Sequence, residues 1–341
     1  MKKKIWLDIT NTPQVHFLLG IKNGLDPGLF EYFYSTRDFS STPKFLAQRV
    51  EDKILTIGKH YGKKKAKKIY GLIERFLQLS MKIPKYDLSL SCGSESAILL
   101  SWLRGKKSVA FGDNDTAPQW TYSRWVDFNF FPDAIPFEVL EKQGIRKDNT
   151  FMYPGFKEDI YIADFVPDNK FLDTLPFREY VLVRPENLQA NYVKNEDAYS
   201  IVPKVVEYLK KKGKNVLYLP RYEMDYEYVK GVDNVYIPDK PISGLDAVYN
   251  AEAVLTGAGT FAREAGCLGV PAVSFFAGNT LLAVDKKMIA DGKFKHTRDA
   301  DEVISFLENQ ARSEADLSRS KNVKKVVIEK LNEKLKDYSI I

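Results

Sequence analysis

Three sets of residues have the types and spacing to do chemistry. The first is a glycine turn, Thr256-Gly257-Ala258-Gly259-Thr260, followed by Arg263 and Glu264. It follows an apolar run ending at Leu255 and opens a helix-like segment that Gly269-Val270-Pro271 stops. Glycines let a backbone come close to a ligand, and the N–H groups at a helix start favour an anion. Glu264, one turn further in, has a carboxylate able to grip a pair of sugar hydroxyls. The stretch therefore reads as a pocket for a nucleotide diphosphate with its ribose. The competing reading is a tight strand-to-helix turn such as any parallel α/β protein has.

The second set is Arg184-Pro185-Glu186 and Arg221-Tyr222-Glu223, which occupy the same place in successive units, strand, then Arg, then Glu. A guanidinium fork matches phosphate oxygens, so two such arginines near the glycine turn would stabilise a departing diphosphate. Ordinary ion pairing within each turn is the alternative. The third set lies in the first half. His16 is a base titrating near neutrality beside the first strand's turn, and it could take a proton from an attacking hydroxyl. It could equally be a helix residue packed on the sheet. Asp113, Asn114 and Asp115 end another strand, where they could bind acceptor hydroxyls, orient His16, or cap the next helix. Three adjacent turn residues rarely converge on one ion, and with three histidines and two separated cysteines no metal site is expected.

These residues need elements to position them. Apolar runs at 5–9, 30–35, 54–57, 88–92, 108–111 and 128–131 alternate with helix-like segments, as do 181–183, 216–219, 234–237, 253–255 and 272–276. Such alternation argues for an α/β fold of two doubly wound, Rossmann-like parallel sheets. Ligands of such sheets gather at the carboxyl ends of the strands, where Asn11-Thr12, Gly93-Ser94 and Asp113-Asn114 fall. The expected division is 1–160, an acceptor-side domain, and 161–316, a donor-side domain facing it across a cleft. A C-terminal helix, 317–341, would pack back on the first domain. The stretch 158–165 shows no clear period and reads as a connector.

At 341 residues, 44% of them apolar and 28% charged, the chain has the composition of a soluble two-domain protein. Its cysteine usage fits a reducing cytoplasm. The segment 59–85 holds nine basic residues against Glu74, a net +8 that exceeds the +6 of the whole chain. The remainder is slightly acidic, so a nucleic-acid coat is not expected. The Lys63–Lys68 cluster opens an amphipathic helix reaching Met81, which is either a solvated face or a contact with an anionic membrane surface.

Several stretches resemble a largely archaeal family of predicted glycosyltransferases. They are Trp6-Leu7-Asp8-Ile9-Thr10-Asn11-Thr12-Pro13-Gln14-Val15-His16-Phe17, Ile57-Gly58-Lys59-His60, Phe111-Gly112-Asp113-Asn114, Arg184-Pro185-Glu186, Leu219-Pro220-Arg221-Tyr222, Arg263-Glu264-Ala265 and Ala283-Val284-Asp285-Lys286. That family is similar to the two-domain glycosyltransferase B (GT-B) superfamily, which includes the N-acetylglucosamine transferase of the peptidoglycan lipid precursor and the UDP-N-acetylglucosamine 2-epimerases. The resemblance implies a nucleotide sugar as donor substrate, no metal or other cofactor, and an inverting transfer. It implies diphosphate contacts at Gly257, Gly259 and Thr260, with Arg263, Arg184, Glu186 and Arg221 around them and Glu264 at the ribose. His16 falls where several inverting members keep a base, with Asp113 beside it. Asn11, Thr12, Gly93, Ser94 and Asn114 fall on the acceptor side. Two departures stand out. Cys92-Gly93-Ser94 replaces a common His-Gly-Ser, and Ala258-Gly259-Thr260 replaces Gly-Gly-Thr. Epimerisation of the same nucleotide sugar, and a non-catalytic nucleotide-sugar-binding subunit, are the alternatives.

Overall fold

The computed structural model describes residues 2–39, 41–59, 61, 65–188 and 199–341. Of the residues singled out above, His60, Lys63 and Lys64 lie outside the described residues. The chain divides into two compact units, Met1–Asp164 with Ser320–Ile341, and Phe165–Arg319.

In the first unit the chain runs β1 (Lys3–Ile9), α1 (Thr12–Gly24), β2 (Phe30–Asp38), α2 (Thr42–Ala47), β3 (Ile54–Lys59), α3 (Lys65–Lys82) and β4 (Leu88–Ser91). It continues through α4 (Glu95–Leu103), β5 (Lys107–Phe111), β6 (Phe128–Pro132), α5 (Phe137–Glu141), β7 (Thr150–Tyr153) and α6 (Lys157–Ile162). The sheet order is β3-β2-β1-β4-β5-β6-β7, and its pairings are parallel. β1 is central, which explains its sequence: Ile5, Trp6, Leu7, Asp8 and Ile9 are all fully buried, as only a strand covered on both faces requires. Each of the four apolar side chains contributes roughly 1.5–3 kcal/mol by that burial.

α6 corrects the expected connector. Its period is invisible because all six of its residues are buried, so no polar face alternates with an apolar one. The helix is held by Asp159, whose carboxylate accepts the Phe156 N–H at 2.9 Å. It lies so close to α1 that a Cβ on Gly20 would sit 3.2 Å from the Tyr161 Cα. The last helix, α12 (Leu317–Asp337), is grouped with the first unit from Ser320 onward. Ser320 donates its hydroxyl to Asp159 at 2.8 Å, and Gly24 leaves the space that the Ile328 side chain fills.

The second unit runs β8 (Val181–Arg184), α7 (Val202–Lys211), β9 (Val216–Tyr218), β10 (Val235–Tyr236), α8 (Gly244–Tyr249) and β11 (Ala253–Thr256). Then come α9 (Gly259–Cys267), β12 (Ala272–Ser274), α10 (Ala283–Ala290), β13 (Lys295–His296) and α11 (Ala300–Asn309). Its parallel sheet reads β10-β9-β8-β11-β12-β13. α7 shows how the core is built: Val202, Val205, Val206 and Leu209 recur at helical spacing and pack on Val181, Val183 and Leu255. The helix starts at Val202, with Pro203 in its first turn.

Candidate functional site

In both sheets the strand order reverses at one point, between β8 and β11 in the second unit and between β1 and β4 in the first. At such a point neighbouring crossovers leave in opposite directions, and it is there that open parallel sheets bind their ligands. Every chemistry-bearing residue named above falls on one of these two strand edges or on the elements just after them.

In the second unit, β8 ends at Arg184, whose register partner on β11 is Thr256, the residue before the glycine turn. β9, on the other side, ends just before Leu219-Pro220-Arg221. That loop is fixed by Asp225, whose carboxylate accepts the N–H groups of Arg221 at 2.7 Å and Tyr222 at 3.0 Å. The Tyr218 hydroxyl donates to the Asp225 carbonyl at 2.9 Å. The two arginines are thus brought together: burial and the neighbouring charge of Arg221 push the Arg184 guanidinium down to about 10, with Glu264 and Asp225 acting the other way. Arg184 therefore remains charged at neutral pH. The Arg184 guanidinium lies 4.8 Å over the Phe261 ring of α9, and its Nε is buried without a hydrogen-bond partner among the described residues.

α9 starts at Gly259 with Ala258 as its N-cap, and no side chain caps it. The Thr256 hydroxyl accepts the Ala258 N–H at 2.8 Å, which shapes the turn. Glu264 is buried one turn in. This edge therefore assembles two guanidiniums, a helix start without a side-chain cap, and a buried carboxylate.

Other expected donor contacts take different roles. Gly257 donates its N–H to the Arg184 carbonyl at 2.9 Å, so that group serves the sheet. A Cβ there would lie 2.3 Å from the Glu186 Cα, so the glycine permits backbone to pass backbone. Glu186 is buried. Its carboxylate accepts the Ser200 hydroxyl at 2.6 Å and the Ile201 N–H at 3.2 Å, with Arg298 at 3.6 Å. Burial raises its pKa despite those bonds. Arg263 is buried against Asp285 at 2.8 Å and ties α9 to α10, while its other nitrogen reaches the Thr260 hydroxyl at 3.5 Å. Its place in the sequence gave no hint of this partner, 22 residues away. Phe261 and Asp225 were also missed, because their roles arise only once loops from separate strands converge.

At the first unit's edge, Asp8 is the centre. It is fully buried, forms an ion pair with Arg75 of α3 at 2.6 Å, and accepts hydroxyls from Ser35 and Ser94, each at 2.5 Å. Ser94 is also the N-cap of α4, and Gly93 before it takes φ +71, with a Cβ position 2.9 Å from the Tyr122 ring. Asn11 caps α1 and lies 3.5 Å from Arg37, whereas Thr12 pairs with Thr42 through their hydroxyls at 2.8 Å. Asn114 bonds its own turn, accepting the Thr116 N–H at 2.8 Å. Asp113 is ion-paired with Lys157, at the start of α6. His16 stacks on Tyr161 at 5.6 Å and meets the edge of Phe45 at 5.2 Å. Burial, and then the Arg49 charge, lower its pKa to about 4, so it is neutral at physiological pH.

A depression of about 730 Å³ in the second unit lies at the opposite, amino-terminal end of β8 and β11 and is bordered by Lys214 and Glu252. It is remote from this chemistry, and its borders are surface ion pairs such as Lys214–Glu252 at 2.9 Å. Among the described residues no group of three His, Cys, Asp or Glu side chains could hold a metal ion.

A family described as "Protein of unknown function (DUF354)" matches residues 3–336. The chain is similar to an uncharacterised protein, MJ0665, of Methanocaldococcus jannaschii, with 27% identity over 325 residues, 89% of this chain and 91% of that one. Among solved structures it is similar to UDP-GlcNAc 2-epimerase from the same organism, with a TM-score of 0.67 at 15% identity, over 95% of this chain and 98% of that one. It is similar to UDP-GlcNAc 2-epimerase from Neisseria meningitidis bound to UDP-GlcNAc, with a TM-score of 0.71 at 14% identity, over 97% and 100% of the chains. The glycotransferase of kitacinnamycin matches with a TM-score of 0.62 at 10% identity, over 96% of each chain. At these identities the likeness is one of fold, the two-sheet α/β fold of the GT-B type.

Proposed function

The chain belongs to this DUF354 family, and we propose that it is a nucleotide-sugar enzyme whose second unit holds the donor at the carboxyl ends of β8, β9 and β11. One observation carries the reading: Arg184, lying over the Phe261 ring of α9, and Arg221 stand at and just past the ends of the adjacent strands β8 and β9, beside the start of α9, at the point where the strand order reverses. Guanidiniums gathered at a helix start match the charge and geometry of a diphosphate. Arg184, Arg221 and the N–H groups of Gly259 and Thr260 take the diphosphate, and Glu264 takes the ribose. Solved proteins of this fold include one in complex with UDP-GlcNAc and UDP, which supports the same ligand class here.

The reaction we propose is a metal-independent, inverting transfer. An acceptor hydroxyl attacks the anomeric carbon as the bond to the diphosphate oxygen breaks. His16 takes the hydroxyl proton. A neutral imidazole this weakly basic accepts the proton only once the new C–O bond has made the oxygen acidic, so leaving-group stabilisation by the arginines supplies most of the rate. Epimerisation of the donor is the second reading, favoured by the epimerases that match nearly the whole chain. Product analysis in the absence of any acceptor separates the two.

A thermal-shift screen against UDP, GDP, dTDP and CMP and their sugar conjugates, with and without EDTA, tests the donor site. A true ligand at a hundredfold excess over its Kd stabilises by about 2.7 kcal/mol. Arg184→Met removes charged hydrogen bonds worth roughly 1.5–3 kcal/mol, a loss of about ten- to a hundredfold in affinity. A protein that no nucleotide stabilises would overturn the proposal.

A further inference from the structure

α3 is apolar on two faces. Its inner face carries Leu79, which packs with Trp6, Ile57 and Ile83. The same face carries Arg75, which bonds Asp8 at 2.6 Å and the Ile57 carbonyl at 3.2 Å. That buried pair fixes the helix's rotation, so the outer face cannot roll inward. The outer face is nonetheless an i,i+4 ladder of Ile69, Ile73, Leu77 and Met81, exposed by 60, 54, 54 and 76%. A solvated helix face would carry charges at these positions.

The patch continues onto the end of α4. Arg104, the C-cap of α4, donates to the carbonyls of Ser80 at 2.8 Å and Ile83 at 3.1 Å, which brings the end of α4 against the end of α3. Trp102 and Leu103, just before it, are 54% and 57% exposed. An exposed apolar surface of this extent marks an interaction site.

Charge identifies the occupant. Segment 59–85 has nine basic residues and a single acid, Glu74. Glu74 is engaged by Tyr61 and by Gln78. Lys59, Lys67, Lys82 and Lys85 are exposed around the apolar ladder. A second copy of this chain laid face to face would set lysines against lysines. Branched aliphatic, Met and Trp side chains ringed by lysines match an acyl–headgroup boundary carrying negative charge. We propose that α3 and the end of α4 dock this protein flat on an anionic lipid bilayer. No helix among the described residues is long and apolar enough to cross a membrane, so the docking is interfacial.

Co-sedimentation of the full chain with vesicles tests this. The protein should bind vesicles of equimolar phosphatidylcholine and phosphatidylglycerol, bind phosphatidylcholine alone far more weakly, and release at high salt. The double substitution Ile73→Ser/Leu77→Ser should weaken binding on the order of tenfold or more. Lys82→Ala and Lys85→Ala should each weaken it about fivefold, on anionic vesicles alone. These are surface positions, and an unchanged circular dichroism spectrum and thermal midpoint confirm folding. If the serine pair impairs folding, the two lysine variants decide the matter. The proposal is overturned if wild type ignores anionic vesicles at low salt, or if neither set of substitutions changes binding. It is also overturned if the serine pair converts a dimer into a monomer in analytical ultracentrifugation, because a second copy then covers the face.

Discussion

His16 offers a prediction that is independent of any reaction. Its ring is sandwiched by Tyr161 and Phe45, and Arg49 stacks on the same Phe45 with its guanidinium 3.5 Å from the ring centroid. Burial first, and that cation second, lower its pKa from the usual 6.5 to about 4. The folded pKa lies below the unfolded one, so between them the unfolded chain binds the proton and the folded chain does not. Stability from the neutral ring is intact above pH 6.5 and is lost as pH falls toward 4. The loss at pH 5 relative to neutral pH comes to about 2 kcal/mol. His16→Phe keeps the aromatic stack and removes the titration, so the variant should lose about 2 kcal/mol less than wild type over that interval. The direct assay is the pH dependence of the His16 Cε1–H resonance, assigned by its disappearance in the variant. A midpoint near 4 is expected, with Arg49→Met moving it only part of the way back, because burial is the larger cause. A midpoint above 6 would refute the packing argument and leave His16 as an ordinary exposed histidine.

Three further outcomes can be measured by thermal or urea unfolding. Gly257→Ala places a Cβ 2.3 Å from the Glu186 Cα and 2.7 Å from its nitrogen, a backbone clash that no rotamer relieves. It should cost roughly 3 kcal/mol or more, among the largest effects of a single substitution. Gly105→Ala is its control: φ is +62 but no atom lies within 4 Å, so only about 1 kcal/mol should be lost. Asp8→Asn leaves Arg75 as an uncompensated buried charge and should cost about 3–5 kcal/mol, whereas Asp8→Leu/Arg75→Met should cost less than the single change.

Much of the fold was legible before any coordinates. Parallel strands covered on both faces are written as short, near-continuous apolar runs, and β1, β5, β8 and β11 all read that way, whereas β4 alternates Leu with buried Ser. α6 did not, because a helix buried on every side has no amphipathic period. β13, a two-residue strand at a sheet edge, is too short to leave a pattern, whereas β10, equally short, falls within the apolar run 234–237.

At the sites the division is sharper. Alternation of strand and helix places every strand-to-helix turn on one of two sheet edges, so arginines, a glycine turn, a carboxylate and a histidine were bound to sit just beyond strand ends. Which side chains meet was decided by tertiary structure. Arg184 and Arg221 are 37 positions apart, and only the order β9-β8-β11 makes them neighbours. The same assembly withdrew Glu186 and Arg263 into internal bonds, for a carboxylate or guanidinium that becomes buried has to find a partner. It turned Gly257 from a ligand contact into a crossing point of two backbones. The outward ladder of α3 was decided in the same way: its helical pattern was plain, but which of two apolar faces turned inward depended on Arg75 reaching Asp8, 67 residues away.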